Sequence, residues 1–199
     1  MNISTSAQLA FVADHEFIHH NLSKIPTSIQ IQPFFQDRFI SVAAALNGGN
    51  CLATFVNVLS CWMKDLAVVD LPGKEKIFDR ILQLASCVDS QNSLKIKPTL
   101  LGERHDPQSR GSISHITPHN LELGNVVKAI LCGIVHNLND MMPNEFLQKA
   151  GIRRIVGSGR LLTFAFVCDI VESKFQLPVT MGASDDAATG AALAMMLSE

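Results

Sequence analysis

The sequence is short of charge. Only 17% of its 199 residues are charged against 47% hydrophobic, which excludes an intrinsically disordered chain and leaves enough apolar material for a core. The net charge is −2 and no basic stripe runs through it, which excludes the electrostatic footprint of a nucleic-acid-binding protein. Five cysteines are present (Cys51, Cys61, Cys87, Cys132 and Cys168), and no two form a C-x-x-C. The odd number and the apolar surroundings argue against a secreted disulfide scaffold or a zinc knuckle, and for buried free thiols in a reducing cytoplasm. The first residues, Met-Asn-Ile-Ser-Thr-Ser-Ala, have neither the basic region nor the apolar core of a signal peptide. Phe39–Met63 is uncharged, but Asn47-Gly48-Gly49-Asn50 interrupts it, so no membrane span is expected. Repeats, low-complexity tracts and a linker long enough to divide the chain are also missing, and residues 1–199 read as one domain.

The apolar residues that are there fall into ordered runs. Ala7–Val12, Ile29–Phe35 and Phe39–Ala45 read as strands, the last two joined by a turn at Gln36-Asp37-Arg38. Pro33 puts its strand at an edge or at a bend. His15–Ser28 is polar and reads as a loop. Asn50 is a candidate cap for a helix over Cys51–Leu66, and the spacing of Ile77, Phe78, Ile81, Leu82 and Leu84 predicts a second helix over Lys74–Cys87. After a polar loop at 99–112, Thr117 as cap and Pro118 at the first helical position predict a long helix over Leu121–Met141. Gly124 and Gly133 mark close packing or a break within it. The tail alternates: a helix at Asn144–Ala150, a strand at Arg154–Val156, a helix near Leu162–Phe175, a strand at Val179–Met181, and a last helix from Ser184 or Asp185 through Leu197. Strands first, then helices, then alternation describe an α/β domain on one sheet.

Several short motifs bear on chemistry. Gly157-Ser158-Gly159 follows a strand and precedes a helix, where small residues and unpaired N–H groups suit a phosphate; the bland alternative is an ordinary tight turn. Leu162 replaces the last glycine of a G-x-G-x-x-G, so a dinucleotide fingerprint is excluded. Ser4-Thr5-Ser6 offers three hydroxyls in a row, able to grip a terminal phosphate or simply a frayed terminus. Asp185-Asp186 fits the capped start of the last helix, whose alanines and Gly190 form a face suited to tight packing. His15 and His19 have the spacing of a helical metal pair, but no H-E-x-x-H accompanies them and their segment reads as loop, so no metal site is assigned. His105, His115, His119 and His136 are scattered. No G-x-S-x-G elbow is present.

The order of these motifs carries more than any one of them. Ser4-Thr5-Ser6, Asn47-Gly48-Gly49-Asn50, Gly102-Glu103-Arg104 with Asp106-Pro107 and Arg110-Gly111, Lys128-Ala129 with Gly133-Ile134, Gly157-Ser158-Gly159 and Asp186 through Ala192 resemble, in sequence, the C-terminal domain of the FGGY family of carbohydrate kinases. Asn-Ile-Ser-Thr-Ser-Ala-Gln-Leu, Leu-Asn-Gly-Gly-Asn, Leu-Gly-Glu-Arg-His and Ile-Thr-Pro-His-Asn-Leu-Glu-Leu-Gly-Asn-Val resemble its sedoheptulokinase branch. The resemblance covers nearly the whole chain.

It implies an actin/ribonuclease-H-like fold that forms the ATP side of a two-domain enzyme, with ATP and Mg²⁺ as cofactors and sedoheptulose or a related ketose as substrate. It implies that Ser4, Thr5 and Ser6 lie in the hairpin that contacts the terminal phosphates. It places Gly157, Ser158 and Gly159 in the turn near the adenosine and α-phosphate. Gly102-Glu103-Arg104 matches a signature with a structural role or a place near the cleft. The family's base is an Asp at the end of an N-terminal sugar-binding domain that these residues do not include, so no catalytic residue is assigned, and Asp14 and Asp37 do not replace it. On that ground the chain alone is expected to be inactive. One run departs from the family. Leu161-Leu162-Thr163-Phe164-Ala165-Phe166-Val167-Cys168 is almost wholly apolar where the family has polar residues near the nucleotide, and it could form an exposed apolar patch. This departure keeps a second reading open, a non-catalytic nucleotide-binding or interaction module of the same fold. A different actin-fold ATPase fits Gly102-Glu103-Arg104 and Arg110-Gly111 less well.

Overall fold

A computed structural model describes residues 1–88 and 93–182. In chain order its elements are β1 (Asn2–Ile3), β2 (Ala7–Ala13), α1 (His15–Asn21), β3 (Ile29–Phe34), β4 (Arg38–Ala45), α2 (Gly49–Asp65), α3 (Lys74–Ser86), β5 (Lys95–Lys97), β6 (Ser112–Ser114), α4 (Leu123–Met141), α5 (Asn144–Lys149), β7 (Ile155–Gly157), α6 (Ala165–Phe175) and β8 (Val179–Met181). The last helix expected from the sequence, with Asp185 and Asp186, lies outside the described residues. The chain divides into two compact units, one of Met1–Ile3, Gln8–Ala44 and Leu138 onward, the other of Ser4–Ala7 and Ala45–Asn137.

The first unit is built on a four-stranded sheet of order β1-β2-β4-β3. Along β2 the residues alternate buried and exposed, so that Leu9, Phe11 and Ala13 enter the core. β3 and β4 pair antiparallel, Ile29 opposite Ala43 and Phe34 opposite Arg38. Their turn needs left-handed backbone at Gln36 (φ 57°) and Asp37 (φ 54°), the geometry that matches strand twist. Pro33 sits on β3, the edge strand, where a missing N–H disturbs no ladder. β7 and β8 pair in parallel, and a parallel bridge from Asn2 to Ser158 sets β1 beside the end of β7. Phe11, Phe17 and Phe146 meet in the core with ring centroids 5.6 to 6.2 Å apart.

Within His15–Ser28, expected as a loop, the structure forms a helix over His15–Asn21. Asp14 accepts a 2.7 Å bond from the Phe17 N–H and starts α1, burying Ile18. A single cap and one apolar anchor were too weak a pattern to read in a polar stretch.

The second unit packs α2, α3 and α4 with the antiparallel pair β5–β6. Leu52 and Val56 of α2, Ile77, Ile81 and Leu82 of α3, and Val127, Leu131 and Ile134 of α4 are buried. Both glycines of α4 mark close approach, not a break. A Cβ at Gly124 would sit 2.8 Å from the Leu84 carbonyl oxygen, and one at Gly133 would collide with the Ile96 carbonyl. Two expected caps are absent. α2 starts at Gly49 with Gly48 as cap, and Asn50 lies in its first turn. α4 starts at Leu123, not Leu121, because Thr117 and Pro118 form a separate turn in which Asn120 accepts the Thr117 N–H. The cysteines also differ from expectation. All five are free, but only Cys51 is buried, whereas Cys61 and Cys87 are exposed on the outer faces of their elements. No helix among the described residues is long and apolar enough to cross a membrane.

Candidate functional site

Ser4, Thr5 and Ser6 belong to the second unit, where they form a tight turn closed by the Ser4 N–H on the Ser6 carbonyl at 3.0 Å. This turn rests on the start of α2. The Gly49 N–H donates to the Ser4 carbonyl at 2.7 Å and the Asn50 N–H to the Thr5 carbonyl at 3.0 Å. The fit depends on Gly48, since any Cβ there would strike the backbone of Ser6 and Ala7. Asn50 braces the bend by accepting the Gly48 N–H and donating to the Leu46 carbonyl. Ser4 and Thr5 are exposed, and the first turn of α2 carries no acidic residue. Ser4 and Thr5 thus stand at the start of a 17-residue helix whose first N–H groups, at Gly49 and Asn50, are bonded to their carbonyls. In the sequence Gly48 and Gly49 belong to the Asn47–Asn50 motif. Their doubled glycine was the available signal for a close backbone approach.

Glu103 explains the Gly102-Glu103-Arg104 motif. Its carboxylate is 2% exposed and accepts from the Leu46 N–H at 2.8 Å, the Asn47 side-chain amide at 2.8 Å and the Asn137 amide at 2.7 Å. Asn47 also donates to the Gly102 carbonyl and accepts the Leu101 N–H. Gly102 must be glycine, with φ +70° and the Pro107 carbonyl 2.6 Å from where a Cβ would lie. The network fixes the Leu46-Asn47 bend that leads into α2, so the motif acts on the Ser4–Ser6 turn through that helix start. Cys51 follows in the first turn of α2, its thiol directed at the Pro98 carbonyl. Burial, assisted by the nearby Glu103 charge, pushes this thiol up to about 11.

Gly157, Ser158 and Gly159 lie in the first unit. The Ser158 N–H donates to the Met1 carbonyl at 2.9 Å, and the Ser158 carbonyl accepts the Ile3 N–H at 3.1 Å. Gly159 has φ +93°, and a Cβ would lie 2.6 Å from the Ile3 carbonyl oxygen, so no other residue fits. The turn does not open directly onto an α-helix. A 3-10 turn at Arg160–Thr163 intervenes, and α6 starts only at Ala165. The apolar run that follows is not an exposed patch either. Leu161, Leu162 and Val167 are 2% exposed or less, and Phe164 and Phe166 are half-buried in an edge-on pair. The 3-10 turn brings two successive leucines into the core, which a helix beginning at Leu162 would not.

The six sequence-chosen residues therefore form two groups, Ser4–Ser6 on the start of α2 in one unit and Gly157–Gly159 beside Met1–Ile3 in the other. Asp14 is occupied as the α1 cap, and Asp37 sits in the exposed β3–β4 turn. His15 and His19 stack on α1 with centroids 6.1 Å apart, but no group of three His, Cys, Asp or Glu among the described residues could hold a metal ion.

No protein-family model matches the sequence. The chain is 40% identical over 197 residues, 98% of its length, to sedoheptulokinase from Homo sapiens, and equally to that from Mus musculus. It spans 41% of the length of each of these relatives. Among solved structures, the xylulose kinase of Lactobacillus acidophilus superposes with a TM-score of 0.73 over 98% of this chain and 38% of that one, at 22% identity. That of Rhodospirillum rubrum superposes with a TM-score of 0.74 over 97% of this chain and 36% of that one, at 15% identity. The chain is therefore a homologue of the sedoheptulokinases, and it has the actin/ribonuclease-H-like fold of the FGGY-family sugar kinases.

Proposed function

We propose that residues 1–199 act as the nucleotide-side domain of an ATP-dependent sugar kinase that converts sedoheptulose to sedoheptulose 7-phosphate. The observation that carries this reading is the 40% identity to sedoheptulokinase along 98% of the chain. The sugar-binding domain and the aspartate base belong to the part of the relatives' length that this chain does not span. The five free cysteines suit a cytoplasmic setting.

The residues fit a polyphosphate. Exposed Ser4 and Thr5 stand at a helix start free of acidic residues, and Gly48 lets their turn pack directly on that start. In this reading Ser4, Thr5 and Ser6 hold the terminal phosphates, and Gly157, Ser158 and Gly159 let the backbone approach the adenosine and α-phosphate. Bound Mg-ATP supplies the transferable phosphoryl group with its charge partly neutralised by the metal. The chain's own part is to bind and orient, with Glu103 holding the α2 start rigid.

Calorimetry with Mg-ATP tests it. The chain is expected to bind, and a Ser4→Ala, Thr5→Ala double variant is expected to bind about tenfold more weakly. Thermal melts of the variant read its stability, so that weaker binding is scored only for a folded chain. The apolar run at 161–168 favours a second reading, a non-catalytic interaction module; undetectable Mg-ATP binding by a folded chain would select it.

A further inference from the structure

The second unit contains a cavity of about 570 Å³ that belongs to neither group of candidate phosphate-binding residues. Phe55 and Val58 of α2, Ile96 and Ile113 of the β5–β6 pair, and Val126 and Ile130 of α4 form its wall. Its volume lies within the range of small-molecule sites, about 300–1,000 Å³, and like them it is mainly apolar with a few polar groups. The polar groups are one-sided. Lys97 and Arg110 line the cavity, with no acidic side chain among the lining residues. Arg110 is held in place, its Nη1 donating to the carbonyls of Pro107 and Ser109 at 2.9 Å each. Those bonds use one nitrogen of a guanidinium with five donors. The wall is also fixed, because Gly133 lets β5 lie directly against α4.

An open apolar cleft lined by two exposed cationic residues and no acidic one matches one ligand chemistry. We propose that this cavity binds a small amphipathic carboxylate, its hydrocarbon part between α2, α4 and the β5–β6 pair and its anionic end at Arg110 and Lys97. A neutral ligand would gain nothing from the cations, and a free inorganic anion would leave the apolar wall in contact with water.

Octanoate and 1-octanol are the matched probes. Methyl NMR of the full chain, titrated with each, reads both place and affinity. Octanoate is expected to shift the methyl groups of Val58, Val126 and Ile130, and to bind about fivefold to tenfold more tightly than octanol. In an Arg110→Gln, Lys97→Gln double variant the two probes should bind alike, and in Val58→Trp, which fills the cleft, neither should bind. Equal binding of the two probes by the native chain would overturn the proposal. So would shifts scattered over the surface, or none at all. The native-chain comparison decides the matter even if a variant does not fold.

Discussion

At the residue scale the most consequential side chain is Glu103. A buried carboxylate receives three donors within 2.8 Å, none of them cationic. Glu103→Gln would turn an amide N–H toward at least one of those donors, leaving buried groups unpaired. The expected cost is about 1–3 kcal/mol, read as a fall in the urea midpoint at constant slope. Gly48→Ala should cost a similar amount through overpacking against Ser6, and it should also weaken Mg-ATP binding, because it lifts the hydroxyl turn from α2. Cys51 makes a chemical prediction. With its thiol pushed up to about 11, only about one molecule in a thousand carries the thiolate at pH 8. Iodoacetamide at that pH should therefore label the exposed Cys61 and Cys87 and spare Cys51 until the chain is unfolded, as mass spectrometry would show. The sign for stability follows from the same raised value. The unfolded thiol ionises near pH 8.5 and the folded one near 11, so Cys51 lowers stability as pH rises through that window and has no effect below it.

At the element scale the two glycines of α4 oppose two forces. Alanine has the higher helix propensity by about 1 kcal/mol, so Gly124→Ala and Gly133→Ala would stabilise a free helix. Here each methyl would enter the backbone of a neighbour, the Leu84 carbonyl in one case and the Ile96 carbonyl in the other. Both variants should lose stability, Gly133→Ala the more, in thermal melts. The same contrast shows what the sequence could reveal. Strands β2 to β4 and helices α2 to α4 were legible because alternation and helical spacing report burial directly. Helix α1 is not, since it rests on the Asp14 cap and one buried isoleucine, and the starts of α2 and α4 are not, since Asn50 bonds loop backbone instead of capping and Asn120 holds the expected cap, Thr117, in a separate turn. The candidate phosphate residues came from motif order. That Gly48 and Glu103 shape their support depends on contacts between segments 42 to 57 residues apart, which no local pattern encodes.

At the scale of the whole molecule, the chain matches 41% of its relatives' length, so the proposed chemistry must be shared with residues outside that span. Phosphoryl transfer needs positioned phosphates and a base beside the acceptor hydroxyl, and the proposed reading assigns that base to neither Asp14, which caps α1, nor Asp37, in the β3–β4 turn. The 199 residues alone should bind Mg-ATP without sugar-dependent turnover. Joined to the part of the human sedoheptulokinase sequence that they do not span, they should phosphorylate sedoheptulose, and a coupled ADP assay with sedoheptulose, xylulose, ribulose and glycerol would rank the substrates. Turnover by the unjoined chain would show that the base lies within it and would overturn the division of labour argued above. A joined protein that folds, binds Mg-ATP and prefers xylulose or glycerol would keep the kinase and displace the sugar. One that binds Mg-ATP but transfers to none of the four would leave this chain as a nucleotide-binding domain whose catalytic partnership has been lost.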